Sequence, residues 1–150
     1  MATATELLVA EELDPLREVA AARGWYFQLV DSTTFILRLP ANDGSWVELL
    51  VKCDSYPTLP PAWHFRNPDT GVLDSPADTP RGGAFFHSNG VICAPWNRLA
   101  YSAHWSRGPH GDWTLGDWRA NPQTGATKML CAMALRIAVE LQGPYEGRRG

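Results

Sequence analysis

The chain has 150 residues, a formal net charge of −3, 45% hydrophobic residues and 19% charged residues. This length suits one folded domain over residues 1–150, and the composition excludes a disordered chain. We expect no nucleic-acid partner, because phosphate binding needs clustered Lys and Arg, and no membrane partner, because no apolar run could span a bilayer. No signal-peptide pattern is present at the N-terminus, so a cytoplasmic protein is expected.

The three cysteines are Cys53, Cys93 and Cys131. An odd number of cysteines without Cys-x-x-Cys spacing does not suit a disulfide framework or a tetrahedral metal site. We therefore expect reduced thiols, no metal and no cofactor. Any one of these thiols, taken alone, is more simply explained as a small buried side chain that fills space in the core.

The first predicted element is a helix that ends at Gly24. Residues 6–23 carry apolar side chains at helical spacing, but Pro15 interrupts them. Asp14 as N-cap and Pro15 at the first helical position would begin the helix there. Residues 1–13 are then expected to form a separate, flexible arm.

Three segments with alternating polarity follow, at residues 25–31, 34–39 and 46–52. Their short polar links predict an antiparallel meander. A proline-rich segment comes next, and residues 62–66 supply a fourth strand. We also expect a cis peptide bond between Pro60 and Pro61, where the chain must turn into that strand.

The second half of the chain is irregular until its last helix. Residues 67–83 are expected to form a surface loop, and residues 94–123 carry four tryptophans that must pack against the domain. Residues 127–142 have a broad apolar face and predict a helix packed on the sheet, with Leu130, Met133, Ile137 and Leu141 inward. The tail 143–150 is expected to be mobile. The fold class is therefore α+β.

Two segments resemble the ubiquitin-conjugating enzymes. Residues 56–61, Tyr-Pro-Thr-Leu-Pro-Pro, precede a strand that ends at Phe65, and residues 88–93 read Ser-Asn-Gly-Val-Ile-Cys. The resemblance covers residues 6–142. It implies an N-terminal helix, a four-stranded meander, an active-site loop and a C-terminal helix. It also implies that Cys93 carries a ubiquitin-like modifier as a thioester and passes it to an amine of a target protein.

The chain departs from that family in two places. The His-Pro-Asn tripeptide is missing, with Gly83-Ala84-Phe85 about where it should stand, and the chain ends after one helix where many relatives add two. It is similar in this to streamlined bacterial members, whose operons also encode a ubiquitin-like protein, an adenylating activating enzyme and a metallopeptidase. Some of those operons are implicated in antiviral defence. The resemblance thus implies three partners: modifier, activating enzyme and target.

The supporting residues of such a site are less defined. A thioester reaction needs a donor for the oxyanion, and the candidates in place of the missing Asn are the backbone amides around Cys93 and the side chains of Asn89, Asn97, His87 and His104. The acidic residue that orients the incoming amine in the family would here be Asp112 or Asp117. Most of these candidates also have a plainer explanation: Asn89 as a turn residue, and the histidines and carboxylates as solvated polar groups.

Two other functions remain open on the sequence. The missing tripeptide suits a noncatalytic module of the same fold that binds a ubiquitin-like protein, although such a module would not need Cys93. A thiol hydrolase would pair Cys93 with His87 or His104 as its base.

Overall fold

The computed structural model describes all 150 residues and has an α+β architecture. Its helices and strands, in chain order, are α1 (Ala4–Arg23), β1 (Tyr26–Asp31), β2 (Thr34–Pro40), β3 (Trp46–Lys52), β4 (Ala62–Phe65), β5 (Phe86–His87), β6 (Val91–Ile92) and α2 (Leu130–Gln142). Short 3₁₀ helices lie at Pro76–Asp78, Arg98–Ala100 and Leu115–Asp117. No helix is both long enough and apolar enough to cross a membrane.

The sheet is the antiparallel meander that the alternating polarity predicts. Strands β1 to β4 lie side by side in chain order. The register pairs Leu37 of β2 with Leu49 of β3, and Leu49 in turn with Phe65 of β4. Because side chains alternate between the faces of a strand, this register places one apolar row on the inner face. The predicted strand boundaries agree with the observed ones to within one residue.

The inner face of the sheet is covered by α2, as the sequence predicts. The four residues expected to face inward, Leu130, Met133, Ile137 and Leu141, are each completely buried. They belong to one continuous hydrophobic core that also takes in side chains of α1 and the inner rows of β2 and β3. The core therefore joins both helices to the sheet in a single domain.

Helix α1 begins at Ala4, eleven residues earlier than the predicted start at Pro15, so residues 4–13 form part of the helix and no separate arm exists. Thr3 is the N-cap, and its side chain and that of Glu6 accept each other's backbone N–H groups in a capping box. Pro15 lies inside the helix on its exposed side. The carbonyl that Pro15 leaves unpaired can therefore be solvated, while a buried stripe from Val9 to Ala20 stabilises the helix on both sides of it.

Helix α2 begins at Leu130, three residues later than predicted, because its cap comes from another part of the chain. Met129 occupies the N-cap position, and its side chain makes no capping hydrogen bond. The backbone N–H of Leu130 donates instead to the Glu12 carboxylate of α1, at 2.9 Å. The Tyr56 hydroxyl donates to the same carboxylate at 2.7 Å. A buried carboxylate thus joins α1, the segment before β4 and the start of α2.

We predict that Glu12→Ala lowers the free energy of unfolding by roughly 2–4 kcal/mol, because two buried donors lose a charged acceptor. Chemical denaturation measures this loss. Glu11→Ala is the matched control, since Glu11 is exposed on the same helix. Equal stability of the two variants would show that the Glu12 hydrogen bonds contribute nothing to the fold.

The predicted cis bond at Pro60–Pro61 is wrong. The cis peptide bond lies between Tyr56 and Pro57. The chain reverses before Pro60, where the Leu59 N–H donates to the Ser55 carbonyl. From Pro60 the backbone runs toward β4 without a further turn, and Arg98 donates to the carbonyls of both Pro60 and Pro61.

The tail that was expected to be mobile is paired with another segment of the chain. Residues 146–150 run beside residues 76–81, and Arg148 bridges to Pro80 in antiparallel fashion. Tyr145 is buried and packs edge-to-face against Phe86. The short basic composition of the tail suggested mobility, but Tyr145 holds it against the core. This contact forms only in the folded chain, so the composition of the tail does not reveal it.

Candidate active site

A short hairpin, with two residues in each strand, presents Cys93 at the surface. Strands β5 and β6 pair Phe86 with Ile92, and both of these side chains are buried. Gly90 closes the turn with φ of 84°, a conformation that favours glycine. Cys93 follows β6 directly, and its N–H donates to the Phe85 carbonyl at 2.8 Å. The backbone of the cysteine is thus held by the sheet while its side chain is half-exposed.

Asn97 fixes the segment that follows the cysteine. Its side-chain oxygen accepts the N–H groups of Trp63 in β4 and of Leu99, and its amide nitrogen donates to the Ile92 carbonyl at 2.9 Å. Asn97 is fully buried. Because these bonds commit its side chain to the backbone, Asn97 has a structural role and is a poor oxyanion donor.

The tryptophan-rich segment brings a histidine to Cys93. After the 3₁₀ helix Arg98–Ala100 the chain turns back, and the His110 N–H donates to the Ala100 carbonyl at 3.0 Å. Ser102 donates its N–H to the His110 carbonyl at 3.1 Å. At Gly108 an added Cβ would lie only 2.5 Å from the carbonyl carbon of Tyr101, so the two backbones meet where no larger residue fits. These contacts set the position of His110.

Cys93, His110 and Asp112 form a connected row of side chains. The Cys93 Sγ lies 3.1 Å from His110 Nε2, and His110 Nδ1 lies 3.0 Å from Asp112 Oδ1. A carboxylate beside Nδ1 requires the proton there, which leaves the lone pair of Nε2 facing the thiol. The arrangement of nucleophile, base and orienting carboxylate is the one that covalent catalysis by a thiol requires.

The pKa shifts of Cys93 and Asp112 indicate which groups in this row carry a proton at neutral pH. Burial raises the pKa of the Cys93 thiol, and the negative charge of Asp112 raises it further. The thiol is therefore protonated at neutral pH and donates to His110 Nε2. The hydrogen bond from His110 lowers the pKa of Asp112, so the carboxylate is ionised and accepts the Nδ1 proton.

Three other predicted supporting residues are not bonded to the thiol. The side-chain nitrogen of Asn89 donates to the Arg107 carbonyl at 3.1 Å, and its N–H donates to His87 Nδ1 at 3.0 Å. His104 lies at the surface, and partial desolvation of its ring together with the charge of Arg98 lowers its pKa. The structure thus brings Asp112 to the thiol through His110, a residue that the sequence analysis does not single out.

The two acidic residues proposed for the incoming amine line one groove. Asp112 and Asp117 both line the groove, and Asp117 lies in the 3₁₀ helix Leu115–Asp117. Thr114 and Asn121 add polar atoms, and no basic side chain lines it. The groove therefore presents two carboxylates, one of which, Asp112, is bonded to the imidazole of His110.

The other thiols are less suited to chemistry. Cys53 is completely buried in the core, and this burial strongly raises its pKa. Cys131 lies on α2, half-buried, and burial raises its pKa as well. No group of three or more His, Cys, Asp or Glu side chains is arranged to hold a metal ion.

The fold and the site together define an α+β domain with a half-exposed cysteine hydrogen-bonded to a histidine. Comparison of the chain with family models, with curated proteins and with solved structures found no match.

Proposed function

We propose that this protein is a ubiquitin-conjugating-like transferase that accepts a ubiquitin-like modifier as a thioester on Cys93 and passes it to an amine of a target protein. The observation that carries the proposal is the hydrogen bond between Cys93 Sγ and His110 Nε2, with Asp112 behind the imidazole. The motif resemblance around residues 56–61 and 88–93 supplies the substrate class. An adenylating enzyme would activate the modifier.

The first step forms the thioester. As Cys93 Sγ attacks the activated C-terminal carbonyl carbon of the modifier, its proton passes to His110 Nε2. The bond from that carbon to its leaving group then breaks, and the leaving group departs with the electron pair and takes the proton. The imidazolium formed between these events places a charged N–H donor beside the reacting carbonyl, where negative charge develops.

The second step transfers the modifier. An amine attacks the thioester carbonyl, the carbon–sulfur bond breaks, and the proton lost by the amine passes through His110 to the departing Cys93 sulfur. The groove with Asp112 and Asp117 supports an amine acceptor, because two carboxylates without a basic neighbour attract a cationic group. The products are an amide and the free thiol.

A thiol hydrolase is the second candidate, and the His110–Asp112 pair favours it. Water in place of the amine would use the same base and release a free carboxylic acid. The base in this alternative is His110, in place of His87 or His104, which the sequence offered as candidates. The two functions differ in which nucleophile accepts the acyl group.

A peptide thioester that ends in glycine tests the proposal without any partner protein. The protein is incubated with this peptide in the presence and absence of a lysine-containing acceptor peptide, and the products are separated by mass spectrometry. We expect a peptide adduct on the protein and, with the acceptor, an amide-linked product. Catalytic release of the free peptide acid without amide product would favour the hydrolase. The absence of any adduct and any turnover would contradict both and leave the noncatalytic binding module.

A further inference from the structure

Trp113 stacks face-to-face on the imidazole of His110. The ring centroids are 3.4 Å apart and the ring planes differ by 3°. Trp113 also contacts the ring of Tyr101, at 5.7 Å between centroids, and it packs against the hydrophobic core. Tyr101 is completely buried, and its hydroxyl donates to the Pro95 carbonyl at 2.6 Å. A continuous row of rings thus connects the core to the base.

Asp112 holds the imidazole less firmly than its hydrogen bond suggests. Its side chain is 74% exposed, so water and salt screen the attraction between the carboxylate and the ring. One hydrogen bond to Nδ1 also leaves the ring plane free to tilt about that bond. The indole face of Trp113, in contrast, restricts the whole plane and removes water from it.

We infer that Trp113 is the positioning residue that keeps His110 Nε2 directed at Cys93 Sγ, and that it does so more strongly than Asp112. The inference rests on the proposed function only in taking Cys93 and His110 as the reacting pair. Without a flat aromatic surface beneath it, the imidazole turns out of the plane in which Nε2 meets the thiol.

Alkylation of Cys93 by iodoacetamide at neutral pH provides the test, with the rate followed by mass spectrometry of the Cys93 peptide. Trp113→Leu keeps apolar volume but has no ring to stack. We expect it to slow alkylation by roughly tenfold or more, as small displacements of a reacting group do. Trp113→Tyr, which restores a stacking face, should return the rate to within about threefold of the wild type. Asp112→Ala should slow alkylation less than Trp113→Leu does.

A double variant separates positioning from a general structural role. If Trp113 acts through His110, the Trp113→Leu/His110→Ala variant should alkylate no more slowly than His110→Ala alone. If the two substitutions slow alkylation additively, the inference is wrong. It is also wrong if Trp113→Leu or His110→Ala leaves the alkylation rate unchanged, or if Asp112→Ala slows alkylation more than Trp113→Leu does. Thermal melting confirms that each variant is folded. Since this assay contains no acyl donor, the proposed function can fail in the peptide thioester assay while the inference stands, and the reverse also holds.

Discussion

His110→Ala is expected to slow acylation of Cys93 by the peptide thioester by about 10²–10⁴-fold, the usual contribution of a positioned general base. The thiol pKa is raised by burial, so little thiolate is present at neutral pH, and the reaction needs an acceptor for the proton. Nε2 of His110, at 3.1 Å from Sγ, is that acceptor. Single-turnover mass spectrometry measures the rate of adduct formation.

His87→Ala and His104→Ala are the matched controls, because each removes an imidazole that makes no hydrogen bond to the thiol. Both should keep the wild-type rate to within about threefold, as substitutions outside the reacting pair usually do. If either control slows adduct formation as much as His110→Ala does, His110 is not the specific base of Cys93.

The second large effect concerns the fold. Ile137→Asp is expected to unfold the domain, because Ile137 is 0% exposed in the core beneath the sheet. Burying a carboxylate without a partner costs several kcal/mol, a large part of the roughly 5–15 kcal/mol by which a domain is stable. Circular dichroism of the purified variant should show no cooperative thermal transition.

Val139→Asp provides the comparison on the same helix. Val139 is 63% exposed, so this change should alter stability by no more than about 0.5 kcal/mol. A folded Ile137→Asp variant with an ordinary melting transition would mean that α2 does not cover the sheet as described.

The elements that depend on local pattern could be predicted from the sequence. The alternation of β2 and β3 and the apolar face of α2 are local signals, and each produced an element in the expected place. Gly24 was expected to end the first helix, and it adopts the left-handed C-cap conformation there.

The helix starts could not be predicted, because contacts distant in sequence decide them. Helix α2 begins where Glu12, 118 residues away, accepts the N–H of Leu130. Helix α1 continues through Pro15 because the core stabilises its buried stripe. In both cases tertiary packing outweighs the local preference.

In the candidate site, too, one residue is placed by local sequence and another by contacts distant in sequence. The position of Cys93 after a glycine turn could be predicted locally, because the turn has a recognisable sequence. His110 lies in an irregular loop whose path is set by backbone contacts at Ala100, Ser102 and Tyr101. The signal was the short run His110-Gly111-Asp112-Trp113, which places a base beside a carboxylate and an aromatic ring. Nothing in that run shows that it meets Cys93.

The most direct test of the central claim is to map the covalent adduct on the three thiols after incubation with the glycine-ended peptide thioester. We expect an adduct on the Cys93 peptide alone, cleaved by excess thiol through exchange. It should be lost in Cys93→Ala and retained in Cys53→Ala and Cys131→Ala. An adduct that persists in Cys93→Ala, or that is lost only in Cys131→Ala, would contradict the assignment of Cys93 as the acyl carrier.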